Sequence, residues 1–130
     1  MAISRHPALP WVSSFFSTIF LGFGCAYMIW PREAFSTFGF PSPSTRADLE
    51  LMDAIMVLYG AKDLFMGVST LAATWLGNRK TAGVLLVAGS LCAGVDGYVV
   101  NRFTGTGEWN HWGYGSVMGV VGLALLGLFG

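Results

Sequence analysis

The run from Trp11 to Trp30 contains twenty residues and no charged side chain. A helix needs about 20 apolar residues to cross the hydrocarbon core of a bilayer, and tryptophan favours the two membrane interfaces. Pro31 follows the run directly, as is typical of a helix boundary. The sequence therefore predicts a transmembrane helix over residues 11–30.

Three further apolar segments follow along the chain, at about residues 49–76, 81–100 and 112–129. Hydrophobic residues make up 54% of the chain and charged residues only 11%, against roughly 25% in an average globular protein. Strands are not expected, because the smallest membrane barrel needs about eight of them. We therefore expect an all-α protein, a bundle of four transmembrane helices that forms a single integral membrane domain over residues 1–130.

The charges exclude some partners and leave the orientation open. Seven basic and seven acidic residues cancel, so no basic surface is available for nucleic acid, and the expected surroundings are a lipid bilayer. The positive-inside rule compares basic residues at the two ends of the bundle. It does not decide the orientation, because four spans place three on each side: Arg5, Arg79 and Lys80 against Arg32, Arg46 and Arg102.

Ionisable residues inside the predicted helices are the most informative part of the sequence. Asp53, Lys62 and Asp63 interrupt the second helix, and Asp96 lies late in the third. A charge within the hydrocarbon costs about 2.5–3.5 kcal/mol on insertion scales, so such residues usually face the bundle interior and have a function. Four of them in so short a chain call for a common explanation.

Helical geometry predicts a shared polar pocket. At 100° per residue, Asp53, Tyr59 and Asp63 fall on one face of the second helix, with Lys62 at its edge. Asp53 near the start of one helix and Asp96 near the end of the next are expected at similar depth. The candidate catalytic residues are Asp53, Asp63, Asp96, Lys62, Tyr59 and His111. The candidate substrate-binding residues around the mouth are Asn101, Tyr98, Trp109, Trp112 and Tyr114.

Structural interpretations of the same residues remain open at this point. Lys62 can pair with Asp63 or Asp96 and fix the helix register, and Trp109 and Trp112 can belong to the ordinary belt of interfacial tryptophans. The functional interpretation is that carboxyl groups in a low-dielectric pocket act as acid and base.

No motif for a metal or a cofactor is present in the sequence, and neither is expected. Cys25 and Cys92 lie inside predicted helices and are expected to be packed thiols rather than a disulfide or a metal pair. The spacing of Gly115, Gly119 and Gly122 favours close helix packing. Such glycine-rich faces also allow copies of the chain to associate as a homo-oligomer.

One part of the sequence is similar to a known family. The segment Tyr59-Gly-Ala-Lys-Asp-Leu-Phe-Met-Gly67, followed by Asp96 and His111, resembles small four-helix membrane proteins of unassigned function, loosely DoxX-like. The resemblance implies kinship with fungal enzymes of secondary metabolite biosynthesis that are similar to epoxide hydrolases or cyclases. Members often carry Arg where this chain has Lys62. The lysine keeps the positive charge but lacks a guanidinium group that could bind an anion through two hydrogen bonds.

Together, the residues and the resemblance favour an integral membrane acid–base enzyme. Its expected substrate is a lipophilic small molecule that undergoes epoxide hydrolysis or cyclisation. The alternatives are a non-enzymatic membrane helper subunit and a proton-coupled carrier. We expect a multi-pass integral membrane protein, located in the endoplasmic reticulum membrane if the source is eukaryotic.

Overall fold

The computed structural model describes residues 3–130, and all of its regular structure is helical. A short 3-10 helix at Ile3–Arg5 precedes five α-helices. Their bounds are α1 Leu9–Ile29, α2 Pro31–Ser36, α3 Arg46–Trp75, α4 Arg79–Thr104 and α5 Trp109–Leu126. The prediction of an all-α protein is confirmed.

Local sequence accounts for where the long helices begin and end. The side chain of Thr45 accepts a hydrogen bond from the amide of Asp48 and caps α3, and Asn78 caps α4 in the same way through Thr81. These caps satisfy amide groups that a helix N-terminus leaves without partners. Helix α4 ends at Gly105, whose positive φ of 75° is a backbone conformation that glycine adopts without strain.

The observed helices differ from the predicted ones in two places. Helix α2 falls within residues 31–50, which we expected to be a connecting segment; Pro31 at the first helical position starts it. Helix α4 continues to Thr104 rather than ending near residue 100, because no helix-breaking residue comes before Gly105. The loop expected over residues 101–111 therefore shrinks to the four residues between α4 and α5.

Three helices are long and apolar enough to cross a membrane, namely α1, α3 and α4. This is consistent with a multi-pass membrane protein. Helix α5 has only 18 residues, and its first turn contains the polar side chains of Asn110 and His111. A fourth span is therefore not confirmed and stays a prediction.

The long helices pack as two close pairs, α1 with α3 and α4 with α5. A Cβ atom built on Gly60 would lie 2.6 Å from the carbonyl oxygen of Gly24, and one on Gly83 would lie 2.7 Å from that of Gly122. Only glycine permits backbones to approach so closely. Ser90 adds a hydrogen bond from its hydroxyl to the carbonyl of Gly115, at 2.7 Å. The two pairs contact each other less extensively, and the space between them forms a cavity.

Candidate functional site

A cavity of about 580 Å³ lies between the two helix pairs and receives side chains from all four long helices. Its volume falls within the roughly 300–1,000 Å³ typical of small-molecule sites. Most of its wall is apolar and aromatic. The polar and ionisable side chains that reach it are Tyr27, Thr37, Tyr59, Lys62, Asp63, Cys92, Asp96, Asn110, His111 and Tyr114.

Two carboxyl groups face this cavity from different helices. Asp63 lies one turn after Tyr59 on α3, so both side chains share a face of that helix. Asp96 reaches the cavity from α4, and the hydroxyl of Tyr59 donates a hydrogen bond to its Oδ2 atom at 2.6 Å. This bond joins the two helix pairs across the cavity wall.

Lys62 does not neutralise these acids. Within residues 3–130 the ion pairs are Arg32 with Asp53 and Arg46 with Glu50. Lys62 is exposed and lines the cavity at its edge. The structural interpretation in which Lys62 pairs with Asp63 or Asp96 is therefore wrong, because the ammonium group lies towards the outside.

Aromatic rings cover one end of the cavity. Phe38, from the segment that joins α2 to α3, stacks on the ring of His111 with centroids 5.7 Å apart, and it also packs edge-on against Tyr59 at 6.0 Å. Tyr27 completes the cluster through contacts with Phe38 and Tyr59. The Nδ1 atom of His111 is enclosed and has no hydrogen-bond partner among the described residues. One nitrogen of this cavity-lining imidazole is therefore buried without a partner among the described residues.

Asp53 does not belong to the site, contrary to the prediction. Its carboxylate forms a bidentate ion pair with Arg32 on α2, at 2.8 Å for the shorter contact, and its side chain is 28% exposed. Asp53 raises the pKa of the Arg32 guanidinium through this hydrogen-bonded pair. Asp53 lies ten positions before Asp63, about 15 Å along the helix axis, where it faces Arg32 instead of the cavity.

The residues predicted for the mouth are divided. Tyr114 and His111 line the cavity, whereas Tyr98, Asn101, Trp109 and Trp112 do not. Tyr98 and Trp109 are 64% and 70% exposed. Trp112 instead covers Gly97, and its indole N–H donates to the carbonyl of Gly94 at 3.1 Å. These four residues therefore lie outside the cavity. Tyr98 and Asn101 belong to α4, which continues as a helix to Thr104, and Trp109 and Trp112 belong to the first turn of α5.

Several cavity residues were not predicted. Phe38 comes from a segment with no periodic pattern, so nothing in the sequence placed it over the site. Asn110 and Cys92 carried weak signals, since Asn110 adjoins His111 and Cys92 lies one turn before Asp96. Both cysteines are free and exposed rather than packed in the core, and Cys92 lines the cavity.

The family model described as "Domain of unknown function (DUF4267)" matches residues 17–125, a range that contains every residue lining the cavity except Phe16. The chain belongs to this family. The description of DUF4267 names no activity, and it gives no link to DoxX-like proteins or to epoxide hydrolases. Among curated proteins and among solved structures, no match to the chain is found.

The DUF4267 chain offers acid–base groups rather than metal ligands. Within residues 3–130, no group of three or more His, Cys, Asp or Glu side chains is placed to hold a metal ion. What converges instead is a hydrogen-bonded Tyr–Asp pair, a second carboxyl group and an imidazole in one apolar space. Such a set can bind a lipophilic molecule and transfer protons to or from it.

Proposed function

We propose that this protein is an integral membrane acid–base enzyme that acts on a lipophilic small molecule, by epoxide hydrolysis or by cyclisation. The observation that carries the proposal is the cavity of about 580 Å³ onto which both Asp63 and Asp96 open. Two carboxyl groups in different surroundings can divide the roles of acid and base.

The surroundings of the two carboxyl groups suggest which one is the general base and which one is the proton donor. Asp96 already accepts a hydrogen bond from Tyr59, which suits an ionised carboxylate acting as a general base. Asp63 has no ion-pair partner within residues 3–130 and is assigned the proton donor. His111 reaches the same space and can orient the nucleophile.

The reaction follows from these roles. Asp96 takes a proton from water as the water oxygen bonds to one carbon of an epoxide. The bond between that same carbon and the ring oxygen breaks, because the water attacks from the face opposite the oxygen, and Asp63 gives its proton to the released oxygen. The product is a diol, and the proton gained by Asp96 returns to Asp63 through solvent. If an internal hydroxyl of the substrate replaces water, the same proton transfers give a cyclic ether.

The apolar walls support a substrate that reaches the site from the bilayer. Phe16, Phe20 and Phe23 of α1 line the cavity alongside Met66 and Met118. Such walls favour hydrocarbon over charged groups. In a eukaryotic source we place this activity in the endoplasmic reticulum membrane.

The first test is native purification in mild detergent, followed by mass spectrometry of what stays bound. We expect a discrete lipophilic metabolite, a diol, a cyclic ether or their epoxide precursor, that is lost from an Asp96→Asn variant with unchanged helix content. Incubation with the matching epoxide should then give product with the native protein, and at least 100-fold less with the variant, since general acid–base catalysis contributes about 10²–10⁴.

Other results would support the alternatives. A stoichiometric protein partner together with an empty cavity would favour a helper subunit. Its docking through the glycine-rich faces is disfavoured, because Gly83 and Gly122 already contact each other within the chain. Proton uptake into liposomes that depends on Asp63 and Asp96, without any chemical change of the bound molecule, would favour a carrier.

A further inference from the structure

A second, smaller cavity of about 180 Å³ adjoins the site on the other side of the Tyr59–Asp96 hydrogen bond. Three residues line both cavities, namely Phe38, Tyr59 and Asp96. The hydrogen bond and the Phe38 ring therefore form a wall that the two spaces share.

The rest of the smaller cavity is entirely apolar. Its remaining lining residues are Phe35, Phe40, Ile55, Met56, Val99 and Val100. The polar atoms on its wall are thus those of Tyr59 and Asp96. An occupant of this space needs a hydrocarbon or aromatic surface everywhere except where it meets that pair.

The smaller cavity lies at the outer surface between α3 and α4. Ile55 is 53% exposed and Val99 is 37% exposed, so the lining reaches the face that a membrane would cover with lipid. A lipophilic molecule therefore has a lateral route to the Tyr59–Asp96 pair that does not cross water.

We propose that the two cavities form one binding site for a single neutral lipophilic molecule whose oxygen-bearing group lies at an internal position. That group replaces or joins the Tyr59–Asp96 hydrogen bond at the shared wall. A long apolar arm occupies the larger cavity and a short arm the smaller one. The inference rests on the proposed function in taking the larger cavity as the ligand site, and it narrows the substrate class.

The volumes set the relative sizes of the two arms. A dry apolar cavity of about 150 Å³ is known to hold benzene, so 180 Å³ accommodates a phenyl ring or a short alkyl group. The larger cavity has about three times that volume. An oxygen atom between the arms can accept from the Tyr59 hydroxyl, and a hydroxyl there can also donate to Asp96.

The charges favour a neutral molecule over an anion. Asp96, the ionised base of the proposed reaction, lines both cavities, and a carboxylate or phosphate placed between the arms would be repelled by it. Lys62, the basic residue that lines the larger cavity, is exposed, and it does not line the smaller cavity.

The experiment uses two isomeric alcohols, 1-dodecanol and 4-dodecanol, which partition similarly into detergent. Only 4-dodecanol has a second, three-carbon arm beside its hydroxyl group. Cys92 lines the larger cavity, so in a Cys25→Ala background its alkylation by N-ethylmaleimide reports whether the cavity is occupied. We measure the alcohol concentration that halves the labelling rate.

Three exposed valines of α4 provide matched variants. Val99 lines the smaller cavity, Val95 lines the larger cavity, and Val84 lines neither. We expect Val99→Phe to raise the half-protecting concentration of 4-dodecanol about tenfold and leave that of 1-dodecanol unchanged, since each buried methylene contributes about 0.8 kcal/mol. Val95→Phe should raise the half-protecting concentration of both alcohols, and Val84→Phe should change neither. Ile55→Phe repeats the test from α3 if Val99→Phe does not fold.

The outcomes separate this inference from the proposed function. If Val99→Phe and Ile55→Phe leave both alcohols unchanged while Val95→Phe weakens both, the two-armed ligand is wrong and the lipophilic site in the larger cavity stands. If neither alcohol protects Cys92 in the parent protein, the larger cavity is not a lipophilic site, and the proposed function fails with the inference.

Discussion

Two aspartates on the same helix have opposite surroundings. Asp53 is held by the bidentate guanidinium group of Arg32, whereas Asp63 opens on the cavity with no ion-pair partner within residues 3–130. A carboxylate that is neutralised on the surface has a modest structural effect. A carboxyl group in an apolar cavity is a candidate for function.

This contrast gives a matched pair of substitutions, Asp53→Asn and Asp63→Asn. Both replace a carboxyl group of α3 with an amide and keep the side-chain shape. We expect Asp63→Asn to lower turnover of the identified substrate at least 100-fold, as for other acid–base groups, and Asp53→Asn to change it less than about threefold. Steady-state product formation by detergent-purified protein measures both. Equal losses in the two variants would contradict the assignment of Asp63.

The hydrogen bond from Tyr59 to Asp96 has its own test. Tyr59→Phe removes the donor at 2.6 Å and keeps the ring that packs against Tyr27 and Phe38. Hydrogen bonds between membrane helices contribute about 0.6 kcal/mol on average, so we expect the thermal midpoint to change little. Turnover should fall about tenfold or more, because Asp96 loses the group that orients it.

The matched control for this variant is Tyr98→Phe, which removes the hydroxyl of a tyrosine on α4 that is absent from the cavity lining. It should retain full turnover. If the two variants have the same activity, the Tyr59–Asp96 bond is merely structural.

At this scale the sequence predicted some of the site and not the rest. The four-residue spacing of Tyr59 and Asp63 places both on one helix face, and the structure brings both to the cavity. The environment of Asp53 was not predictable in the same way. Its partner Arg32 is 21 positions away in the sequence. Arg32 lies on α2, a short helix within residues 31–50, where we expected only a connecting segment. Helical periodicity gives the face of a side chain but not the neighbour that covers it.

Glycine crossings bring the helices of each close pair together. Gly24 and Gly60 contact each other through their backbones at the α1–α3 crossing, and Gly83 and Gly122 do so at the α4–α5 crossing. These contacts hold the two helices of each pair close together, and the cavity lies in the gap between the two pairs.

Alanine substitution distinguishes these glycines from others. The Cβ atom of Gly60→Ala would lie 2.6 Å from a backbone carbonyl, so the helices must separate, and we expect a loss of about 1–3 kcal/mol in unfolding free energy. Gly94→Ala has nothing within 4 Å and should be neutral or stabilise the protein by up to about 1 kcal/mol. Reversible denaturation in mixed micelles measures both. A Gly60→Ala protein as stable as Gly94→Ala would contradict the tight crossing.

At the scale of the helices, the lengths of the apolar segments predicted the long helices well, whereas local polar residues did not predict where a helix ends. The four long helices begin two or three residues before the predicted positions. For α3 and α4 the reason is a capping residue, Thr45 or Asn78, that precedes the apolar run. Three of the residues 101–104 are polar, so the segment resembled a loop, but it continues α4, since helix formation needs no apolar side chain on an exposed face. We predicted the end of the helix near residue 100 because polar residues begin there, but polar residues alone do not end a helix.

At the scale of the whole molecule, three distant parts of the chain meet at one end of the bundle. The amide of Ser4 donates to the carbonyl of Gly130 at 3.0 Å, and Arg79, at the start of α4, donates to the carbonyl of Ser4 at 2.8 Å. The cavity residue Asn110 follows the α4–α5 loop, which belongs to the opposite end. This arrangement requires α5 to run the full length of the bundle.

The arrangement predicts the membrane topology if α5 is the fourth span. Single cysteines are introduced at Ser4→Cys, Gly130→Cys and Thr106→Cys in a background without Cys25 and Cys92. A membrane-impermeant maleimide applied to sealed vesicles should label the first two from the same side and Thr106→Cys only from the other. Three spans leave an odd number of crossings, so labelling of Gly130→Cys from the side of Thr106→Cys would place α5 outside the hydrocarbon. That result would also contradict the close packing of α5 along α4 and the hydrogen bond that joins Ser4 to Gly130.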